Sequence, residues 1–523
     1  ELVELPSDSS PRNFSRRDGL ARVCGPRYKG FGVERRRMSV PEKNAPSLAA
    51  VLLAAGKGKR LKSKLPKVLQ PVRGRPALWH VARAAMAARP DRLVVVVGQG
   101  AERVEETVRS WRLDPEPIFV RQAQPLGTGH AVGSAEAAIG RVAEVLVMAA
   151  DDPLVEGRHV RRLLGVHRRT KAAASILTTE VDSPGGYGRV IRDGARLIGI
   201  VEEADLTPAQ RAVREMSTLV YLFRRDDLYR ALPLVGRDNR QREYYLPDVL
   251  GILLDKGERV SAVKGDFGGW AGVNSRETMA ALDRIMRERI NARHMAKGVT
   301  ILDPETTFID VDVRIGPDTV VHPMTFLEGG SRIGSGAEIG PATRIVDSRI
   351  DDGAAVQFSV VRGARIGRQA LVGPYAHVRP GTVLKEGAKA GSFVEIKASE
   401  VGTGSKVPHL SYVGDARIGK GTNIGAGTVT VNYDGYRKHR TVIDDDVRIG
   451  SDTMLVAPVR VGKGAVTGAG STITKDVPGG ALAVERSEQR VVKGYRKRKD
   501  ADAAARGKAG SGGSAGSKAK GKR

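Results

Sequence analysis

Between Val311 and Val477 an aliphatic residue recurs about every six positions. The series reads Ile315, Val321, Leu327, Ile333, Ile339, Ile345, then, after slips of a residue or two, Ile366, Val372 and Val378. It returns at Ile418 and Ile424 and continues through Ile443, Ile449, Leu455 and Val461, with glycine often next, as in Ile333-Gly334 and Ile449-Gly450. A six-residue period predicts a parallel β-helix: three short faces per coil, aliphatics pointing inward, small or turn-prone residues at the corners. Glycine suits such corners because it lacks the Cβ that penalises positive φ. One coil cannot bury its own face, so only a stack is stable.

From Leu48 to about Asn274 the pattern changes to apolar runs alternating with helical stretches. Strands are predicted at Ala50–Ala54, Leu93–Val97, Val145–Ala149 and Ser175–Thr178, and helices at Ala77–Ala88 and Ala131–Ala138. This alternation predicts a largely parallel sheet covered on both faces, with ligands beyond the carboxyl ends of its strands. A long helix with Met279, Leu282, Met286 and Ile290 on one face follows, and Asn274 with Glu277 matches a capping arrangement at its start. Residues 1–47 show no periodicity and read as a disordered extension, with Met38 as the natural start and residues 1–37 an upstream artefact. The tail, 496–523, is rich in Lys and Arg and then in Gly, Ala and Ser, and reads as disordered and solvated. Its other reading is non-specific attraction to RNA or anionic membrane.

Composition changes this picture in three places. Aromatic residues are only 4% of the chain, which fits the narrow aliphatic interior of a β-helix, and the basic tail has essentially no base-reading aromatics, which disfavours sequence-specific nucleic-acid binding. A formal charge of +27 attracts anions, phosphorylated small molecules among them. The single cysteine, Cys24, excludes an internal disulfide or a cysteine-rich metal site. No run of about 18 apolar residues and no apolar leader region is present, so the expectation is a cytoplasmic enzyme with no membrane insertion.

The first strand ends in Leu53-Ala54-Ala55-Gly56-Lys57-Gly58-Lys59-Arg60, with Pro66-Lys67-Val68-Leu69 close behind. Such a loop lets backbone N–H groups approach phosphates, but it is neither a dinucleotide fingerprint nor a Walker A loop. Arg60 and Lys67 add a cationic clamp suited to a triphosphate. Further motifs are Gln122-Ala123-Gln124-Pro125-Leu126-Gly127-Thr128, Ala149-Ala150-Asp151-Asp152-Pro153-Leu154, Gly186-Tyr187-Gly188, Val201-Glu202 and Gly272-Val273-Asn274. Asp151 directly follows an apolar strand, where a carboxylate can hold Mg²⁺ against nucleotide phosphates. In the repeat region, polar residues interrupt the register at Arg379, Lys397, His409, Tyr412, Asn423, Asn432 and Tyr433, and Arg437 to Arg440 form a basic loop. Histidine accepts a proton near neutral pH, which acyl transfer to an amine requires because an ammonium cannot attack.

Over about residues 48–495, and in the same domain order, these motifs resemble the bacterial family of bifunctional N-acetylglucosamine-1-phosphate uridyltransferases/glucosamine-1-phosphate acetyltransferases. The resemblance implies an α/β Rossmann-like nucleotidyltransferase domain (48–274), a linker helix (275–298) and a left-handed parallel β-helix acetyltransferase domain (299–495) that assembles as a homotrimer. It implies acetyl transfer from acetyl-CoA to glucosamine-1-phosphate, then Mg²⁺-dependent uridyl transfer from UTP, giving UDP-N-acetylglucosamine and pyrophosphate for cell-wall precursors. Leu53, Ala54 and Gly56 resemble the uridine-binding loop, and Arg60 and Lys67 the cations at the triphosphate. Gln122, Gly127 and Thr128 match uracil contacts, Asp151 and Asn274 the Mg²⁺ ligands, and Gly188 and Glu202 the sugar contacts, with Ser217 standing where the family's sugar-contacting asparagine lies. His409 matches the general base. Arg379, Lys397, Tyr412, Asn432, Tyr433 and Lys438 match the sugar-phosphate site, and Asn423, Ala426, Ser451, Ala469 and Arg486 the acetyl-CoA site.

The chain departs from the family pattern on the sugar side of the first domain. Ala149-Ala150 precedes Asp151 where the family has Gly next to the Asp, Ser217-Thr218-Leu219 replaces Asn-Thr-Gly or Asn-Ala-Gly, and Pro247 replaces a threonine. An alternative therefore stays open, in which the acetyltransferase is retained while the first domain has altered sugar specificity or low activity. A non-catalytic polyanion-binding scaffold is disfavoured by His409 in company with Arg379, Lys397 and Asn423.

Overall fold

The computed structural model describes residues 47–56 and 58–510. Met38, Cys24 and the expected extension up to position 46 lie outside the described residues, as do positions 511–523 of the tail.

Leu48–Ala54 is the central strand of the first sheet, parallel to Arg92–Val97 on one side and Glu144–Ala149 on the other. Its alternate side chains serve two cores. Leu48, Ala50 and Leu52 pack with the helices Ala77–Met86 and Gly157–Thr170, while Ala49 and Val51 face Ala131, Val132, Val249 and Leu250. A strand buried on both faces reads as an uninterrupted apolar run, which is why these strands were legible. The direction of Glu215–Arg224 was not. It lies antiparallel between Glu144–Ala149 and Ala174–Glu180, and its register shifts between Ser217 and Val220.

The linker helix spans Arg276–Met295 and buries Leu282, Met286 and Ile290. Its cap is one residue later than expected. Ser275 Oγ accepts from the Thr278 amide at 3.2 Å, and Thr278 Oγ1 accepts from the Ser275 amide at 2.9 Å, so neither Asn274 nor Glu277 forms the box. Asn274 is thereby left free for other partners. The two-stranded ribbon Pro71–Val72/Arg75–Pro76 ties the first sheet region to the repeats: the Arg73 carbonyl accepts from Val311 N at 3.1 Å. Gly74, at φ +81, is required at that turn, because a Cβ there would lie 2.5 Å from the Asp310 carboxylate.

From Thr300 to Ala483 the chain forms a left-handed parallel β-helix of three sheets with eleven, ten and nine strands. Coils stack in register, Val321 on Ile339 on Val356, and Leu327 on Ile345 on Val361. The sixth-residue aliphatics from Val321 onward are essentially sealed from solvent, each contributing about 1.5–3 kcal/mol of burial. One corner departs from the small-residue expectation. Met324, Phe358, Tyr375, Phe393 and Leu410 all occupy positive φ there and are exposed, with Tyr375 stacked on Phe393 at a ring distance of 5.2 Å and tilted against Phe358 at 5.7 Å. Left-handed backbone costs a residue with a Cβ about 1–2 kcal/mol, so bulky side chains at this corner are maintained against strain.

The last strand, Leu482–Ala483, ends the repeats before the expected boundary at 495. Within the tail, Tyr495–Gly510 is helical. Its Arg, Lys and Ala residues have high helix propensity, and Arg496 pairs with Asp500 one turn on at 3.2 Å. Among the described residues no helix is long and apolar enough to cross a membrane.

Candidate functional site

A cavity of about 480 Å³ opens beyond the carboxyl ends of the central strands. Leu53, Gly56, Gln122, Gly127, Thr128 and Asp151 line it, six of the residues singled out from the sequence. Ala54 does not: its side chain is buried in the core beneath the sheet, and Ala55 takes its place on the wall. Gln122 is locked from behind, its amide nitrogen 3.1 Å from the Gly127 carbonyl and 2.9 Å from His130 Nδ1. Gly127, at φ +112, lies so close to Tyr244 that a Cβ would sit 2.5 Å from its carbonyl oxygen. Thr128 Oγ1 accepts from the Leu246 amide at 3.0 Å, which joins this turn to the opposite wall.

At the mouth, Lys67 gathers residues remote in sequence. Its ammonium is paired with the Asp151 carboxylate and donates to Asn274 Oδ1 at 2.8 Å, while Arg60 approaches the same oxygen at 3.4 Å. One cation therefore reaches both Asp151 and Asn274. That arrangement fits an Mg²⁺ carried by phosphates, which needs only one or two protein oxygens. Among the described residues no cluster of three His, Cys, Asp or Glu offers a fuller cage. Behind Asp151, sequence reasoning passed over Asp152. It is 2% exposed with the Tyr187 hydroxyl beside it, and burial followed by the Asp151 charge pushes its pKa up. Gly272 leaves the room for it: a Cβ there would lie 2.5 Å from Asp152 Oδ1 and 2.6 Å from the Tyr187 hydroxyl.

A Cβ on Gly188 would lie 2.9 Å from Ile200 and 3.3 Å from the Glu202 carboxylate, so glycine lets Glu202 approach. Burial, reinforced by Asp248, Asp205 and Glu243, pushes Glu202 up to about 7. Ser217 is 1% exposed and does not line the cavity. Its hydroxyl is 3.0 Å from the Tyr221 hydroxyl and accepts from the Leu219 amide at 3.2 Å. Tyr221 and Leu219 line the wall instead, Leu219 at φ +53. Tyr221 and the further lining residue Glu243 were missed from the sequence. The register shift at Ser217 decides which residues of this strand face the cavity, and no period reports it.

The second set assembles on the β-helix. Arg379 pairs with Glu395 at 2.6 Å, and Lys397 with Asp415 at 3.0 Å. Asn432 is buried and donates to Asp415 at 2.5 Å. Lys438, in the loop that interrupts the coil, touches Lys397, whose contact and charge hold its ammonium below the usual range. The Tyr412 hydroxyl and the Asn432 amide converge over Gly414, where a Cβ would lie 2.6 and 2.7 Å from them. Tyr433 is exposed and its hydroxyl donates to the Gly435 carbonyl at 2.6 Å. His439, in the same loop, is held by Asp434 at 2.6 Å. His409 is exposed at the end of the Lys406–His409 strand.

Below His409 the same corner continues coil by coil. Ser411 Oγ reaches the Gly425 carbonyl at 3.4 Å, Asp452 N donates to Ala426 O at 2.6 Å, and Gly470 N to Ser451 O at 2.8 Å. Arg486 donates to Ala469 O at 3.3 Å. Ala426, Ser451, Ala469 and Arg486 thus form a ladder at the edge, with Asn423 exposed two residues before Gly425. The structure brings this candidate set together beneath His409.

A family model for the MobA-like NTP transferase domain matches residues 50–242, and one for bacterial transferase hexapeptide repeats matches residues 440–475. The chain is 48% identical over 462 residues to a protein of Streptomyces avermitilis, spanning 87% of this chain and 95% of that one. It is 46% identical over 453 residues to a protein of Heliobacterium modesticaldum, spanning 86% and 98%. It is 45% identical over 446 residues to a protein of Syntrophomonas wolfei, spanning 85% and 98%. All three bear the name bifunctional protein GlmU.

Proposed function

The chain belongs to the GlmU family of bifunctional proteins, and on that footing we infer that it transfers acetyl from acetyl-CoA to glucosamine-1-phosphate and then uridylyl from UTP to the product. Similarity along almost the whole length of the relatives favours both activities over a first domain of changed specificity. The observation that carries the site assignment is the convergence of Asp151 and Asn274 on Lys67 at the cavity mouth.

In the first domain (48–274), Gln122 and the Gly127–Thr128 turn hold the uracil, and Leu53 and Gly56 bound the nucleoside. Lys67 and Arg60 turn to the triphosphate and neutralise charge as pyrophosphate leaves. Asp151 and Asn274 hold Mg²⁺, which supplies further charge neutralisation on the phosphates. Glu202 and the Tyr221–Leu219 wall orient the sugar phosphate, whose oxygen attacks the α-phosphorus in line. Ser217 acts through Tyr221 rather than by contact.

In the β-helix domain, Arg379, Lys397 and Lys438 receive the sugar phosphate, with Tyr412, Asn432 and Tyr433 beside the amino sugar. His409 takes one proton from the ammonium, the freed amine attacks the thioester carbonyl, and the C–S bond breaks as the sulfur of CoA takes the second proton from the attacking nitrogen and leaves as thiol. Asn423, Ala426, Ser451, Ala469 and Arg486 receive acetyl-CoA, the guanidinium suiting its phosphate. A homotrimer completes the site. The exposed apolar corner from Met324 to Leu410 supports it, since such a stripe is ordinarily covered and Leu410 adjoins His409. A cytoplasmic location, where UTP and acetyl-CoA are made, completes the reading.

The test is Mg²⁺-dependent pyrophosphate release from UTP and N-acetylglucosamine-1-phosphate. Robust release, lost in Asp151→Ala while acetyl transfer from acetyl-CoA continues, is the expected result. Acetyl transfer without release from the unaltered chain would refute the first activity.

A further inference from the structure

A second cavity, of about 320 Å³, lies on the other side of the Asp151 segment, between the helices Ala77–Met86, Gly157–Thr170 and Arg276–Met295. Five guanidiniums line it, those of Arg83, Arg158, Arg161, Arg289 and Arg293, against one carboxylate, Glu156. Glu156 is already shared, at 3.2 Å from Arg158 and 3.7 Å from Arg289. Among the described residues Arg83, Arg161 and Arg293 have no ion-pair partner; Arg83 instead lies 5.1 Å over the Trp79 ring. Arg161 is folded over the start of its helix, with Nη1 3.3 Å from where a Gly157 Cβ would stand. Arg289 is fixed, donating to the Leu154 carbonyl at 2.8 Å and to the Phe267 carbonyl. Burial, with the nearby Arg158 and Arg293 charges, lowers its pKa.

Guanidiniums gathered around a concavity raise its positive potential and concentrate small anions there. Guanidinium forks grip phosphate oxygens two at a time, and no lysine lines the cavity. The volume exceeds what one phosphate would fill. We propose that this arginine-lined cavity binds a small anion carrying two or more phosphoryl groups, at a site separate from both catalytic sites. Its occupant would be felt at the nucleotide site, because Pro153 and Val155 line the arginine cavity while Asp151, two residues before Pro153, lines the nucleotide cavity.

The test titrates inorganic pyrophosphate into the full-length protein by calorimetry, in EDTA, for the unaltered chain, R161A/R293A and Lys67→Ala. Both arginines are exposed, so the double variant should fold, and its circular dichroism and basal acetyl and uridyl transfer should match the parent. The expected result is a binding event weakened at least tenfold in R161A/R293A and retained in Lys67→Ala. R161K/R293K, which keeps charge but loses the forks, should bind with intermediate affinity. Absence of binding to the unaltered chain, equal binding by R161A/R293A, or loss in Lys67→Ala alone would each overturn the proposal. The binding titrations do not depend on turnover, so their outcome is independent of the proposed reactions.

Discussion

Gly414→Ala tests whether the second site is built as described. Gly414 lies in the Tyr412–Gly414 strand with backbone any residue can adopt, since its φ is not positive, so the substitution acts through space alone. The added methyl would lie 2.6 Å from the Tyr412 hydroxyl and 2.7 Å from the Asn432 amide. Ordinary contact begins near 3.4 Å. Both groups must therefore retreat by somewhat less than 1 Å, and displacements of about 1 Å in a positioned site cost on the order of 10²-fold in rate. Asn432 cannot retreat freely, because it is buried and bonded to Asp415, which also holds Lys397. Acetyl transfer, followed by the thiol of released CoA, should fall about 10²-fold in kcat/KM. Pyrophosphate release by the first domain should be unchanged and serves as an internal control. Overpacking should lower stability by about 1–3 kcal/mol, which a urea titration of the same sample would report. Unimpaired acetyl transfer from a folded variant would refute the placement of Tyr412 and Asn432 at the amino sugar.

Lys67→Ala should reduce uridyl transfer by at least about 10²-fold while sparing acetyl transfer, as a preorganised cation at a phosphate is lost; pyrophosphate release measures it. Leu219→Gly removes a side chain from left-handed backbone and opens the cavity wall, so the KM for the sugar phosphate should change with little effect on the KM for UTP; equal shifts would exclude Leu219 from the sugar side. Burial holds His80 down at about 4 against an unfolded value of 6.5, so the folded state resists its protonation and stability falls as pH drops below about 6.5. At pH 5 that term is about 2 kcal/mol, and the fall in urea midpoint from pH 7.5 to 5 should shrink in His80→Gln; an equal fall would refute it. Glu202, raised to about 7, has the opposite sign and adds stability as pH falls from 7 toward its unfolded value, so Glu202→Gln should steepen the same acid loss.

The cation set at the cavity mouth was legible residue by residue but not as a geometry. Lys67 and Asn274 are 207 positions apart, and only folding shows that one ammonium bridges Asn274 and Asp151. Ser217 was assigned to the substrate, whereas the shifted register turns it inward and puts Tyr221 and Leu219 on the wall. Asp152 stood in a recognised motif, but its burial depends on what packs around it. The arginine cavity draws its guanidiniums from three helices far apart in the chain.

The sequence by itself determined the β-helix and the doubly covered sheet, because burial imposes a period and a period is local information. It also determined which side chains had the chemistry for phosphoryl and acyl transfer, since that chemistry belongs to residue types. Tertiary structure alone decided which of them meet, which corner of the coils stays apolar and open, and where five guanidiniums converge. Those outcomes depend on strand direction, register shifts and packing between segments far apart in the chain, and none of these leaves a periodic trace in the residues themselves.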